Sequence, residues 1–235
     1  MIFVSQGHEK GIGLEVFLNG FECLSKGFQS QFVLVSSRES LLEHSVFMQL
    51  EISNDQKSIR LGRSKLNIIL FNRNKKIPDT MQSLDYILDQ INTDDILLTL
   101  PSSKDQFISD NKVYSGHTEY FRKRFKLPEI GMTFLSHDTN VLLLSDHISI
   151  DQVSSYITTD LILKKISLCL ESLPLNRSIK EVFLTGINPH CGEEGLISNV
   201  DIVIQNGLKL LKESYKDIKF HNMLPGDTIH FNMDN

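Results

Sequence analysis

The chain has 235 residues, 40% of them hydrophobic, enough to bury a core as one large domain or two lobes. A formal net charge of -5, thinly spread and without a long basic run, argues against nucleic acid as a partner. Three cysteines, Cys23, Cys169 and Cys191, lie far apart with no CxxC pair, which speaks against a disulfide framework and suits a reducing compartment. No apolar run approaches the length that spans a bilayer. The N-terminus has no basic region followed by an apolar one, so a cytoplasmic protein without signal peptide or membrane association is expected.

In chain order, short strands alternate with helices. "MIFVSQ" opens the chain as a first strand and leads into the glycine-rich Gly7-His8-Glu9-Lys10-Gly11-Ile12-Gly13. "FVLVSS" (Phe32 to Ser37) is a second strand, "ISNDQKSIRLGRSK" a connection or hairpin, and "KLNIILFN" (Lys65 to Asn72) a third strand. Asp79 to Ile91 reads as a helix with Met81, Leu84, Ile87, Leu88 and Ile91 on one side. "DILLTLP" (Asp95 to Pro101) and "TNVLLLSD" (Thr139 to Asp146) are further strands. A helix from Ser149 or Asp151 to Leu173 is capped by one of those two side chains and carries Val153, Ile157, Leu161, Ile162 and Ile166. "EVFLTGI" (Glu181 to Ile187), a helix over Asn199 to Glu213 and "IKFHNML" complete the series. Short, nearly continuous Val, Ile and Leu runs fit a mostly parallel sheet covered on both faces. The alternation predicts a three-layer α/β/α fold. No low-complexity linker and no internal repeat appears.

Ligands in such folds bind at the carboxyl ends of the strands. Polar groups collect there: His8 after the first strand, Ser102-Ser103-Lys104 after "DILLTLP", His147 after "NVLLLSD", Asn188-Pro189-His190 after "EVFLTGI", and Asp227 after "IKFHNML". Ser115-Gly116-His117-Thr118-Glu119 is a further cluster. Convergent polar groups at one edge make a binding site the default reading. Each has a plainer alternative. The glycines suit a strand-to-helix turn with positive φ or, with helix-start N–H groups, an anion site. His147 suits a helix cap, His190 a loop fixed by Pro189, Lys104 a solvated side chain, and Asp227 a turn residue or cap. Neutral imidazole is also a good ligand for zinc and related ions. His147 and His190, at the ends of neighbouring strands, would share one ion, and a third ligand is then required.

"GHEKGIGLE", "LLTLPSSK", "SGHTEYF", "LLLSDHISI", "GINPHCGEEG" and "LPGDT" occur in the order of motifs of the 4-hydroxythreonine-4-phosphate dehydrogenases of vitamin B6 synthesis, which the chain resembles over nearly its whole length. GHTE and NPH.GE, each after the right kind of strand, are the specific part. The resemblance implies an isocitrate/isopropylmalate-dehydrogenase-like fold, as one unit over residues 1–235 or as two lobes around a cleft with a boundary near 100–140. It implies a homodimer, a small phosphorylated substrate, NAD or NADP as hydride acceptor, and a divalent metal (zinc, or magnesium, cobalt or manganese) held by three histidines. His147 and His190 match two of those ligands. His117 and Thr118 match the substrate-binding pair, Asp227 matches an acid/base aspartate, and Lys104 stands at the lysine of the family's strand-end motif and is the second catalytic candidate. The implied reaction oxidises a secondary alcohol and then releases carbon dioxide, with the metal easing loss of the hydroxyl proton.

The departures carry expectations of their own. His8 and Lys10 replace an aspartate and a proline of the first motif or lie beside them, and Leu14 replaces its second proline. Ile197-Ser198-Asn199-Val200-Asp201 stands where the family has G-x-E-E. The family's YHDQG segment, carrying the third histidine, and the phosphate- and cofactor-binding segment after it have no counterpart before Asn235; His230 does not match. Weak metal and cofactor binding by these 235 residues is therefore expected. The alternative is a non-catalytic relative that binds a small anion or a protein partner.

Overall fold

The structure, a computed structural model, describes residues 1–109, 112–127, 129–172 and 179–232. It divides into two compact units, Met1–Lys126 and Leu127–Asn235. The first unit runs β1 (Ile2–Ser5), α1 (Gly13–Glu22), α2 (Lys26–Gln29), β2 (Phe32–Ser37), α3 (Arg38–Met48), β3 (Glu51–Ile52), β4 (Ser58–Leu61) and β5 (Ser64–Phe71). It continues with α4 (Asp79–Leu88), β6 (Ile96–Thr99), β7 (Ile108–Ser109), β8 (Lys112–Val113) and α5 (His117–Arg124). Six strands form one sheet in the order β3-β4-β5-β2-β1-β6. β5, β2, β1 and β6 are mutually parallel, with Ile2 opposite both Phe32 and Ile96. β4 and β3 return antiparallel, so the polar "ISNDQKSIRLGRSK" forms hairpins at the sheet edge.

The mostly parallel α/β class expected from the continuous apolar runs is what forms. Val4, Leu34 and Ile68 of the central strands bury against Leu14, Leu18 and Phe21 of α1. Met81, Leu84 and Leu88 of α4 build a separate cluster with Phe107 and Tyr120. Two apolar clusters around one sheet are the layered arrangement in which strand residues are covered on both faces.

The second unit contains β9 (Met132–Leu135) and β10 (Asn140–Leu143), α6 (Ile150–Tyr156), α7 (Thr159–Ser172), β11 (Glu181–Val182), α8 (Val200–Ser214) and β12 (Lys219–Phe220). β9 and β10 pair antiparallel, and β11 and β12 pair parallel. One expected helix is here two. Ile157 takes an extended conformation (ψ 110°), ending α6. Thr158 Oγ1 then accepts the Leu161 N–H at 3.1 Å and starts α7 afresh. The apolar stripe runs on across the break, because Ile157, Leu161, Ile162 and Ile166 are all buried in one cluster with Ile204, Leu208 and Leu211 of α8. Ser149 does precede α6, as expected, but its hydroxyl bonds the Asp151 carboxylate instead of capping the helix. The expected end at Leu173 lies outside the described residues. Among the described residues no helix is long and apolar enough to cross a membrane.

α7 and α8 pack closely at Gly207, where an added Cβ would stand 2.9 Å from Ile162 Cγ2. Ile162 is fully buried and β-branched, so its methyl cannot swing aside. Helix propensity alone favours Gly207→Ala by up to about 1 kcal/mol. We expect the opposite sign, a loss of roughly 1–3 kcal/mol from overpacking, measured by chemical denaturation followed by circular dichroism.

Candidate functional site

In the first unit the loops after β1 and β6 are locked together. His8 N–H donates to the Pro101 carbonyl at 3.1 Å. A Cβ on Gly7 would lie 2.1 Å from that same oxygen, and one on Gly13 would lie 3.2 Å from both Leu100 Cβ and Pro101 Cδ. Neither glycine, nor Gly11, uses positive φ. These glycines serve close backbone approach instead of an unusual turn. His8 Nδ1 accepts the Lys10 N–H at 2.9 Å, and its ring stands 3.9 Å from the Asp105 carboxylate. Its first role is therefore to fix this loop.

Beneath that loop lies a polar network that sequence reasoning missed. Gln6, fully buried, receives Ser36 Oγ–H at 2.8 Å and Ser37 N–H at 2.7 Å on its carbonyl oxygen. Its amide donates to Ser40 Oγ at 2.7 Å and to Asp79 Oδ2 at 3.1 Å. Asp79, the first residue of α4 and 2% exposed, also accepts from Ser37 Oγ and from Arg73 Nε. The carboxylate raises the Arg73 guanidinium's pKa, first by hydrogen bonding. The signals were present: an aspartate at a helix start, and serines closing an apolar strand.

Lys104 opens a short 3₁₀ turn over Lys104–Gln106, with its side chain exposed. The β7–β8 hairpin and α5 follow. His117 is the first residue of α5 and packs edge-on to Phe107, ring centroids 4.6 Å apart. His117 Nε2 is buried without a hydrogen-bond partner among the described residues. Burial lowers its pKa, so the ring is neutral at pH 7. The glutamate of GHTE acts locally. Glu119 Oε2 accepts the Ser115 N–H at 2.7 Å, tying the first turn of α5 back to the residue before its N-cap, Gly116. Lys123 and that backbone bond hold the Glu119 carboxyl down at about 2. Thr118 is half-buried beside His117.

In the second unit the β11–β12 pairing continues beyond the ladder. Leu224 N–H donates to Leu184 O and Gly186 N–H to Leu224 O, both at 3.0 Å, and Thr185 bridges Leu224 in parallel. The chain leaves these adjacent parallel segments at Gly186 and Leu224. The His190 loop and the Asp227 loop therefore emerge side by side. The expected neighbour of the His190 strand was the one leading to His147. Among the described residues, that strand, β10, pairs with β9 instead.

His190 begins a run of left-handed residues, His190 to Glu194, with φ of 50, 57, 75, 48 and 56°. Asp201 is the residue sequence reasoning missed here. Fully buried in the first turn of α8, it accepts the Ile187 N–H at 2.9 Å and Asn188 Nδ2 at 2.6 Å. Burial, with help from the Asp201 and Asp227 charges, raises the Cys191 thiol's pKa. His147 also has positive φ, 52°. His147, His190 and Asp227 are all exposed, and neither imidazole has a hydrogen-bond partner among the described residues. Two uncommitted imidazoles suit a borderline divalent ion. Among the described residues no group of three His, Cys, Asp or Glu side chains is gathered to close such a site.

Burial of His117 sets a pH dependence. Its folded pKa lies below its unfolded value of about 6.5, so the unfolded chain takes up the proton first as pH falls. The stability tied to neutral His117 is full above about pH 6.5 and declines below it. We expect the ring's NMR titration midpoint below that of an unfolded control, and His117→Gln to flatten the pH dependence of stability below about pH 6.5.

The family model described as "Pyridoxal phosphate biosynthetic protein PdxA" matches residues 75–235. The 4-hydroxythreonine-4-phosphate dehydrogenase of Vibrio parahaemolyticus is 31% identical over 139 residues, 57% of this chain and 41% of that protein. Its counterpart from Sulfurihydrogenibium is 32% identical over 128 residues, 51% of this chain and 38% of that protein. The matched region thus spans about two fifths of the length of these curated relatives. A crystal structure of a 4-hydroxythreonine-4-phosphate dehydrogenase from Burkholderia phymatum superposes with a TM-score of 0.75 at 20% identity, covering 99% of this chain and 76% of that one. A terephthalate 1,2-cis-dihydrodiol dehydrogenase from Burkholderia xenovorans reaches a TM-score of 0.65 at 16% identity, covering 99% and 76%. These two structures share the fold; the family model, which extends over the GHTE, NPH.GE and LPGDT motifs, shows that the chain belongs to the PdxA family of pyridoxal phosphate biosynthetic proteins.

Proposed function

We propose that the chain is a 4-hydroxythreonine-4-phosphate dehydrogenase-like oxidoreductase. It oxidises the secondary alcohol of a phosphorylated hydroxy-amino acid, using a divalent metal and NAD or NADP, with loss of carbon dioxide. The observation that carries this reading is the parallel pairing that brings out the His190 and Asp227 loops together, with the imidazole uncommitted. The names of the relatives supply the substrate class.

A divalent ion held by His147 and His190 would ease ionisation of the substrate hydroxyl, and NAD(P) would take the hydride. In this reading the Asp227 carboxylate, exposed at its strand end, receives the hydroxyl proton. His117 offers its buried, unpartnered Nε2 to the substrate, and the Thr118 hydroxyl beside it adds a second polar contact. Lys104, an exposed cation in the turn after β6, is assigned the proton returned to carbon after carbon dioxide leaves.

The second reading is a non-catalytic relative that binds a small anion or a protein partner. It is favoured by the two-imidazole donor set, to which no third such side chain is added among the described residues. The two are separated by following NAD(P)H absorbance at 340 nm with 4-phosphohydroxy-threonine and added zinc or manganese. We expect slow turnover that His190→Ala abolishes and Asp227→Asn lowers by at least about 100-fold, the scale of a lost acid/base group. Turnover at ordinary enzyme rates, about 1–1000 per second, that survives His190→Ala would falsify the metal assignment. No turnover under any condition leaves the binding reading.

We also propose a homodimer. Phe134, Leu135 and Val141 on the β9–β10 hairpin expose apolar surface that a second copy would cover. Light scattering at micromolar concentration should give twice the chain mass of 26.8 kDa, and the single value would remove the claim.

A further inference from the structure

We propose that Asp201 is a positioning residue, whose buried carboxylate holds the Asn188–Gly192 loop in the left-handed course that presents His190. The loop's support by Asp201 stands on geometry alone; its meaning for metal binding rests on the reading of His190 as a ligand.

Three observations converge on Asp201. Both carboxylate oxygens are committed to the loop: Oδ1 takes the Ile187 N–H at 2.9 Å and Oδ2 takes Asn188 Nδ2 at 2.6 Å. The backbone is drawn onto the carboxylate from both sides. A Cβ on Gly192 would lie 2.6 Å from Oδ2, and one on Gly186 would lie 3.1 Å from Oδ1. The two glycines of "GINPHCG" are thus the positions where the loop touches Asp201. Finally, His190 to Glu194 all adopt φ between 48 and 75°, and four of the five are not glycine. Such a run persists only where the surroundings dictate it. Asp201 is also well placed to complement the positive end of α8, but that role needs no contact with the loop. Among the described residues both oxygens accept from the loop and neither accepts an N–H of α8 itself.

The distinction is testable through Cys191, which lies inside the left-handed run. Cys23→Ser and Cys169→Ser leave it as the single thiol of the chain. In that background, Asp201→Asn turns one acceptor into a donor that faces either Asn188 Nδ2 or the Ile187 N–H. We expect Cys191 labelling by a disulfide reagent to accelerate at least fivefold. Co²⁺ affinity, read from its absorption spectrum with the metal alone, should fall about 10–100-fold, the range for a lost supporting partner of a ligand. Asn188→Ala removes one bond and keeps the carboxylate charge, so its faster labelling reports loop geometry. The decisive variant is the exchange Asn188→Asp with Asp201→Asn. It restores both hydrogen bonds, reversing donor and acceptor in the 188–201 pair while the Ile187 N–H still donates to the side-chain oxygen at 201, and we expect labelling and Co²⁺ affinity to return to within about twofold of the parent.

Labelling and affinity unchanged in both single variants overturn the proposal. So does an exchanged pair that behaves like Asp201→Asn. Should Asp201→Asn fail to fold, the exchanged pair decides: parental folding and labelling support the proposal, and failure to fold overturns it. If the parent binds no Co²⁺, the metal reading of His190 falls, and labelling alone decides the positioning role.

Discussion

A carboxylate withdrawn from water must be met by donors or it is not tolerated, and this constraint organises both halves of the molecule. Asp79 and Asp201 are almost wholly buried, and each sits in the first turn of a helix. A buried charge with no partner costs several kcal/mol, so each aspartate recruits its neighbourhood. Asp79 recruits Arg73, Gln6, Ser37 and Ser40 from the ends of the central strands and the start of α3. Asp201 recruits the loop after Gly186. The helix starts add their own favourable field for negative charge. In both units, polar strand-end chain is thus tied to the first turn of a following helix.

The energies at Asp201 are of matching size. Hydrogen bonds to a charged group contribute roughly 1.5–3 kcal/mol each, so its two bonds offer about 3–6 kcal/mol. Four non-glycine residues in left-handed conformation cost roughly 1–2 kcal/mol each, about 4–8 kcal/mol together. Asp201 offsets most of the cost of the loop's course. The glycines at 186 and 192 allow the carboxylate close enough to do so. Glycine at position 7 plays the same part against Pro101 in the first unit, by proximity and not by φ.

Much of the fold was legible because the apolar runs are long relative to the strands they form. "FVLVSS" and "KLNIILFN" coincide with β2 and β5 within one residue at each end, and the helix starting at Asp79 begins where its stripe does. The start of α1 was read only as the helix after the glycine turn, and α2, α3 and α5 went unread. α3 carries almost no apolar asymmetry, and α5 is short and mostly charged, so their starts follow from the Ser37 cap and from the Glu119 bond back to Ser115 and not from periodicity. The split at Thr158 was hidden for the opposite reason: burial on one face continued straight through it. At the site, residue types were legible and pairings were not. "EVFLTGI" reads as one strand but makes only a short ladder and a bridge, and its partner was set by β12. Asp201 escaped because a lone aspartate early in an amphipathic helix looks like any favourable first-turn charge. Its function shows only when the preceding loop folds back to it.

The two candidate ligand histidines share a feature that residue type alone does not reveal. His147 and His190 both hold positive φ, at 52° and 50°. Non-glycine residues seldom do so, although histidine is among those that do it more readily. A solvent-exposed side chain gains no packing from such a backbone, so the conformation must be fixed by what surrounds it. For His190 the fixing groups are identified: Pro189 before it, Asp201 beneath it and Gly192 after it. Strain held by a rigid support, with an uncommitted imidazole at its tip, is the arrangement expected of a side chain kept ready for a ligand.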